Sequence, residues 1–349
     1  MRDSRFCGTL IAGAVALAIA GSGASTAVRA AGPIRIKLAT LAPKDTSYHR
    51  TLVEMGEKWR KATDDQLGLV IYPGGTLGSE ADIVRKMNIG QLQAAMLSVG
   101  GLTEIDPAVA ALQEIPMLFR SLAEEEYVLD KLRPDLEQRL LAKGFVPLFW
   151  GDSGWVRFFS RNQALHPGDF KTMKIFVTST GSATQMQIMQ ALGYKPVPLD
   201  VADALIQLQT RGVDAVPTLP LMAMSGQYYS VTKHVLEVNW APLVGATVVT
   251  KQAWDGIPQN MRGAVLQAAA DAGRKIQQSS RQENEQAMAT MQARFGLQTH
   301  PLTPELETEW RQFAESIYPK LRGAMVPEDM FDLARRRVGE YRASHGEQK

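Results

Sequence analysis

Short apolar runs alternate with amphipathic stretches in the first third of the chain. Residues 34–40, 69–73 and 94–100 have the composition and length of buried strands. Between them, one helix-forming segment runs to about Ala62, with Thr46 or Ser47 as its cap, and another runs to Gly90. This part of the chain therefore predicts the element order β-α-β-α-β.

The same order recurs further along the chain. Residues 174–177, 194–199 and 213–216 predict three more strands. One intervening helix ends at Gly193, and Asp200 begins the next. Two such halves predict an α/β protein with two mainly parallel sheets.

A single long helix is expected between Gln259 and Phe295, where only Gly263 and Gly273 interrupt helix-forming residues. At 1.5 Å per residue it would be roughly 54 Å long, which exceeds one domain, so we expect it to run along both halves. Between the halves lie a helical stretch (about 105–143) and a segment with strands near each end (145–160). Two shorter helices finish the chain.

Residues 1–30 have the layout of a secretory signal peptide. Arg2 and Arg5 precede an apolar run from Leu10 to Ala20, and small residues follow. A membrane anchor is the alternative, but the run is too short to span a bilayer. We therefore expect a soluble protein exported to the periplasm.

Charge and cysteine content change after this cleavage. The chain has 38 Lys+Arg and 36 Asp+Glu, and removal of three Arg and one Asp leaves 35 of each. A neutral chain gives no electrostatic reason to bind nucleic acid or an anionic membrane surface. The single cysteine, Cys7, is removed too, so no disulfide is expected.

No group of residues predicts catalysis, a metal site or a cofactor. The five His are scattered without ligand spacing. The sequence GDSGW (151–155) lacks a partner His for its serine and is interpreted as a loop at a domain crossover. The Gly-rich segment 74–80 lacks a phosphate-loop lysine. Two interpretations of this segment have equal weight. It is either a turn before a capping box of Ser79 and Asp82, or a helix N-terminus that faces a cleft.

Ligands of open α/β sheets bind outside the carboxyl ends of the strands, so two facing sheets predict one cleft between them. Core packing is the equal alternative for each aromatic residue. From the first half, the predicted ligand-binding residues are Thr46, Ser47, Gly75, Leu77, Ser79, Ser98 and Val99. From the second half and the crossings between halves, they are Phe176, Thr178, Thr180, Pro217, Thr218, Leu219, Trp155 and Trp240.

Several motifs resemble one known family. The segments 72–98, 148–162, 166–177 and 191–216, among them YPGGTLGSEADIVRKMNIG and HPGDFKTMKIFV, are similar to the periplasmic solute receptors of TRAP (tripartite ATP-independent periplasmic) transporters, the DctP family. The similarity runs over most of residues 34–295. It implies two Rossmann-like lobes, of the type II periplasmic binding protein kind, joined by crossover strands and a long spanning helix. It also implies closure on a small molecule and delivery to a membrane permease with a small and a large subunit.

The resemblance implies domain limits. Lobe I would comprise residues 31–156 plus about 240–280, lobe II residues 157–239 plus about 281–300, and residues 301–349 would form C-terminal helices packing on the lobes.

One departure from the family pattern concerns the ligand. The family usually has Arg in a Lys-Ile-Arg-Val segment, where it pairs with the substrate carboxylate, but here the third residue is Phe176. A usual Asn and a usual His correspond to Thr218 and Trp240. These replacements imply a mainly apolar or aromatic ligand. The alternative is an ordinary organic acid or dicarboxylate bound by a relocated Arg157.

The family also has a branch without this Arg that resembles the present chain and takes hydrophobic ligands, sometimes with a helical-repeat periplasmic partner. Two functions of other classes stay open at this point. An exported enzyme of the same architecture would turn over its bound compound, whereas a protein-binding adaptor would lack a usable small-molecule pocket.

Overall fold

A computed structural model describes residues 32–178 and 183–346, which form two β-sheets covered by helices. The predicted signal peptide lies outside the described residues. The strands are β1 (Ile34–Thr40), β2 (Leu67–Tyr72), β3 (Ala94–Ser98), β4 (Phe145–Trp155), β5 (Arg157–Ser160), β6 (Lys174–Thr178), β7 (Lys195–Leu199), β8 (Ala215–Thr218), β9 (His234–Leu236), β10 (Pro242–Thr250) and β11 (Gln298–His300).

The helices lie on the faces of the sheets. They are α1 (Ser47–Ala62), α2 (Glu80–Asn88), α3 (Val99–Leu102), α4 (Leu122–Ala142), α5 (Ala183–Ala191), α6 (Ala204–Gln209), α7 (Pro220–Ser225), α8 (Lys251–Asp255), α9 (Gln259–Phe295), α10 (Pro304–Leu321) and α11 (Glu328–His345). In the described part of the chain, no helix combines the length and apolar character needed to cross a membrane.

The first sheet has the strand order β2-β1-β3-β10-β4. Strand β1 is parallel to β2 and β3, which confirms the predicted β-α-β-α-β unit. Apolar and charged residues alternate along β1, so one face of the strand packs in the core and the other faces solvent. Ile36 and Leu38 are buried, while Arg35 and Lys37 are exposed. Strand β10 pairs antiparallel with β3 and β4 and joins them into one sheet.

The second sheet has the strand order β11-β9-β5-β8-β6-β7. Strand β6 is parallel to β7 and β8, as the second predicted unit requires. Strand β5 pairs antiparallel with β8 and β9. The sequence interpretation did not include β9 or β11, which are only three residues long.

Two neighbouring segments carry the chain between the sheets. Strand β4 ends at Trp155 and β5 begins at Arg157, so the chain crosses at Val156. It returns before β10, and the Val156 N–H donates to the Ala241 carbonyl over 3.0 Å. The sequence interpretation of residues 151–155 as a loop is wrong, because β4 continues through them. Gly154 permits this path by adopting a φ of 92°.

Helix α9 has the predicted bounds and spans both sheets. Its first half packs in the core of the first sheet through Val265, Ala269 and Ile276. Its second half packs in the core of the second sheet through Ala287 and Met291. Each half thus buries its own apolar stripe, which explains how a helix of 37 residues is stabilised.

A polar cluster attaches the middle of α9 to the crossover. Asp152, 1% exposed, accepts hydrogen bonds from Gln277 Nε2 at 2.7 Å and from Arg281 Nε at 3.1 Å. Asn284 Nδ2 donates to the Ser153 carbonyl at 2.7 Å. The three helical residues lie four and three positions apart, so they share one face of α9.

Two predicted helix starts are confirmed, and one helical stretch is corrected. The Thr46 side chain caps α1, and Ser79 forms a capping box with Asp82 at the start of α2. The stretch predicted over about 105–143 is two elements, a 3-10 helix (Pro107–Leu112) and α4. The third strand stops at Ser98, where α3 begins.

Candidate functional site

A cavity of about 750 Å³ lies at the carboxyl ends of strands from both sheets. Thr40 and Ser98, at the ends of β1 and β3, line it from the first sheet. Thr178 and Thr218, at the ends of β6 and β8, line it from the second sheet together with Leu219. Its volume is within the range of small-molecule sites, and its position is the one expected for open α/β sheets.

One wall of the cavity is a cluster of aromatic rings. The ring of Phe158 lies 5.8 Å from that of Trp240 and 5.2 Å from that of Phe170. The Trp310 ring lies 5.7 Å from Trp240 in a T-shaped arrangement, and Phe313 stacks on Trp240 at 6.2 Å. All five residues line the cavity. Interlocked rings of this kind form a rigid apolar surface, because each ring restricts the rotamers of its neighbours.

Phe176 lies on β6 at the boundary between this cavity and the core of the second sheet. It lines the cavity, yet it is only 6% exposed. In the core it belongs to the same apolar cluster as Phe159 and Val216. Its ring is therefore both a wall of the cavity and part of the packing that holds β6 in place.

The charged side chains on the described part of the cavity lining are all acidic. Among the described residues that line the cavity, none is Lys, Arg or His, whereas four carry a carboxyl group: Glu80, Glu104, Glu114 and Asp152. A carboxylate ligand would therefore meet no cationic side chain on this lining, and like charges raise the cost of burying it.

Glu80 and Asp152 are both satisfied by partners. Glu80 accepts from the Ser98 N–H at 2.7 Å and the Ser98 hydroxyl at 2.5 Å, while its burial raises the pKa of the carboxyl group. Asp152 is paired with Arg281, as described for the crossover. These two carboxyl groups therefore stabilise the cavity wall and its attachment to α9.

The carboxyl group of Glu114 has weaker hydrogen-bond partners than those of Glu80 and Asp152. Glu114 follows the 3-10 helix Pro107–Leu112, and its N–H donates to the Ala110 carbonyl at 2.8 Å. Within the part of the chain that the structure describes, its carboxyl group has one hydrogen-bond contact, from Gln113 Nε2 at 3.4 Å, and burial raises its pKa to about 7. Gln113 is held by the Val244 N–H, which donates to its side-chain oxygen at 3.0 Å.

The structure brings some of the sequence-predicted residues together at the cavity. Those that line it are Ser98, Phe176, Thr178, Pro217, Thr218, Leu219 and Trp240. Those that do not line it are Thr46, Ser47, Gly75, Leu77, Ser79, Val99, Trp155 and Arg157. Thr180 lies outside the described residues.

The residues away from the lining have structural contacts of their own. The Ser47 hydroxyl donates to Glu283 at 2.6 Å, and Val99 is fully buried in the core of the first sheet. Trp155 packs against the same core and pairs in register with Pro242. For the Gly-rich segment, the capping box at the start of α2 agrees with the interpretation as a turn.

Arg157 is the cation that the sequence offered for an acidic ligand. It is half-buried, and its Nη1 donates to Asn239 Oδ1 at 2.7 Å. Burial lowers the pKa of this guanidinium, whereas Glu237 acts in the opposite direction. Phe158, the next residue on the strand, lines the cavity, while Arg157 does not.

The sequence interpretation missed Glu114, Trp310 and Phe313. The two aromatic residues belong to α10, which comes after both predicted β-α-β-α-β units. Their spacing of three residues is a helical signal, but it does not tell which cavity the helix will cover. Glu114 had no motif around it.

Comparisons with known proteins decide the family. The model of bacterial extracellular solute-binding proteins, family 7 (DctP), matches residues 38–323. The chain belongs to this family. The predicted resemblance is confirmed, and with it a periplasmic solute-binding receptor of the TRAP class that delivers a small molecule to a membrane permease and is not an enzyme.

Two curated relatives match this chain over most of its length. The C4-dicarboxylate-binding periplasmic protein DctP of Rhodobacter capsulatus is 25% identical over 322 residues, which are 92% of this chain and 95% of that protein. The 2,3-diketo-L-gulonate-binding periplasmic protein YiaO of Escherichia coli is 27% identical over 261 residues, 74% of this chain and 78% of that one.

The fold of this chain also matches that of a solved structure. A TRAP periplasmic solute-binding protein of Shewanella oneidensis with bound succinate superposes with a TM-score of 0.81 at 18% identity, covering 88% of this chain and 100% of that chain. The two-lobed α/β prediction is thereby confirmed.

Proposed function

We propose that this TRAP receptor captures a small, largely apolar or aromatic organic molecule in the cavity between its two sheets. The observation that carries the proposal is the chemistry of the lining, where the aromatic cluster around Trp240 meets a surface without a cationic side chain among its described residues. Apolar small-molecule sites combine such walls with a few polar groups.

The named relatives favour a different ligand class. One is described as binding C4-dicarboxylates, and the Shewanella protein holds succinate. A buried carboxylate costs several kcal/mol unless a charged or strongly hydrogen-bonding partner compensates it. For this chain an organic acid therefore stays the alternative, and it would need Arg157 to exchange Asn239 for the ligand.

Three further expectations belong to the same proposal. The domain limits are those expected from the sequence, with residues 31–156 and about 240–280 in one lobe and 157–239 and about 281–300 in the other, the C-terminal helices packing on both. Ligand binding would close the lobes by differential affinity for the closed state. The helical-repeat partner stays a prediction, to be tested by copurification from the periplasm.

Arg157→Ala separates the two ligand classes. The variant and the unchanged protein would be titrated by calorimetry with succinate, galacturonate and phenylpropanol, and mass spectrometry would identify any compound that copurifies. We expect phenylpropanol to bind both proteins alike and the acids to bind neither. Binding of an acid that disappears in Arg157→Ala would replace the proposal by the alternative.

A further inference from the structure

The four carboxyl groups of the cavity differ in what compensates them. Glu80 has two donors from Ser98, and Asp152 has the Arg281 guanidinium. Glu104 is exposed, so water solvates it. Glu114 is half-buried, and among the described residues its carboxyl group receives only the long contact from Gln113 at 3.4 Å. Withdrawing a carboxylate partly from water with one weak donor is costly, and a ligand that donates to it would recover that cost.

Two cations contact the chain shortly after Glu114, and both are committed to other groups. Arg311 of α10 donates to the Met117 carbonyl at 3.4 Å and pairs with Glu307. Arg342 of α11 donates to the Leu118 carbonyl at 2.9 Å and pairs with Glu124. Neither residue lines the cavity.

Other titratable groups face the same space without compensating Glu114. Burial is the main cause of its raised pKa, and the Gln113 hydrogen bond opposes it. The remaining titratable side chains on the described lining are those of Glu80, Glu104, Asp152, Tyr48, Tyr194 and Tyr228. All of these are acidic, so none supplies a positive charge.

We propose that the ligand carries one protonated nitrogen on its apolar body and that Glu114 is the residue that binds this nitrogen. The inference rests on the proposed function, because it assumes that the apolar cavity is the ligand site. An ammonium or amidinium group is the donor that an under-compensated carboxylate binds most strongly.

Three probes of matched size test the charge preference. Phenylpropylamine, phenylpropanol and phenylpropanoate share one apolar body and differ in being cationic, neutral and anionic. By calorimetry we expect the amine to bind at least about tenfold more tightly than the alcohol, and the carboxylate most weakly, as expected for one charge-assisted hydrogen bond.

Two matched variants test the residue. Glu114→Gln keeps the shape and removes the charge, so the amine should lose its advantage while the alcohol keeps its affinity. Glu104→Gln removes a charge of the same kind from an exposed position on the same lining, and the amine should keep its advantage there. Unchanged affinity for the alcohol also shows that the Glu114→Gln cavity has folded.

The pH dependence gives a second readout. A cation binds the ionised form of Glu114, whose pKa in the free protein is raised to about 7. Affinity for the amine should therefore rise about tenfold between about pH 6 and about pH 8, and this rise should disappear in Glu114→Gln. If Glu114 instead acted as a protonated acid towards a carboxylate, phenylpropanoate affinity would rise as the pH falls, which would overturn the inference.

The outcomes distinguish failure of this inference from failure of the proposed function on which it rests. If the alcohol binds as tightly as the amine, or if the preference for the amine survives in Glu114→Gln, the inference fails while the apolar site stands. If none of the three probes binds, or if only the carboxylate does, both fail.

Discussion

Replacing Arg281 with Met should expose how much the crossover depends on this guanidinium, which pairs with the buried Asp152 and with the more exposed Glu126. The Asp152 side chain is fully buried, and Arg281 supplies its only cation among the described residues. Breaking such a pair by removing one partner costs about 3–5 kcal/mol, because the remaining charge stays uncompensated. Asp152 keeps donors from Gln277 and from the Gly154 N–H, so we expect the lower end, about 3 kcal/mol.

The assay is urea unfolding followed by far-UV circular dichroism, with a matched control on the same helix. Arg274 pairs with Asp271 at the surface, where its side chain is 68% exposed, so Arg274→Met should cost less than about 1 kcal/mol. The double variant Asp152→Asn, Arg281→Met should recover most of the loss. If Arg281→Met costs no more than Arg274→Met, the buried pair does not hold α9 to the crossover.

Three further predictions follow from the cavity and from α9. Phe176→Ala should weaken the binding of an apolar ligand by about 2–3 kcal/mol in calorimetry. It should also lower the melting temperature, because the ring is part of the core of the second sheet. Unchanged affinity would exclude Phe176 from the site. The Gly273→Ala variant should be less stable than the Gly263→Ala variant by about 1–3 kcal/mol in chemical unfolding. A Cβ at Gly273 would lie 2.8 Å from the Phe149 ring, whereas a Cβ at Gly263 would meet open space. Equal stabilities of the two variants would contradict this packing. For Glu114 the folded pKa is raised from 4.5 to about 7, so the folded state holds a proton that the unfolded chain releases, and stability falls as the pH rises through this window. Glu114→Gln should therefore exceed the unchanged protein by up to about 3 kcal/mol at about pH 8 and match it near about pH 4, and an equal difference at both pH values would refute the assignment.

The sequence predicted secondary-structure elements well where they depend on interactions between residues close together in the chain. Helix α9 begins and ends where its helix-forming residues do. Thr46, one of the two residues expected to cap α1, is its cap, and Ser79 caps α2 as expected. Caps and hydrophobic periodicity involve residues within a few positions of one another, so the pattern along the chain contains the whole interaction.

Predictions that depended on distant partners were weaker. Arg157 looked free to bind an acid, but its partner Asn239 comes 82 residues later. The interpretation of segment 151–155 as a loop at the crossover followed from its serine having no partner His, which says nothing about strand pairing. Strand β10 pairs with it from Gly151 to Asp152, and α9 supplies Arg281 for the aspartate, so it folds as a strand.

The sequence by itself determined the two β-α-β-α-β units, the spanning helix and the family, because each follows from patterns contained within short segments. The tertiary structure alone decided which side chains share the cavity. Glu114, Phe176 and Trp310 come from a loop, a strand and a late helix, and only packing brings them to one lining. Whether a carboxyl group there is compensated depends on those distant neighbours, since burial and hydrogen bonding are properties of the folded chain.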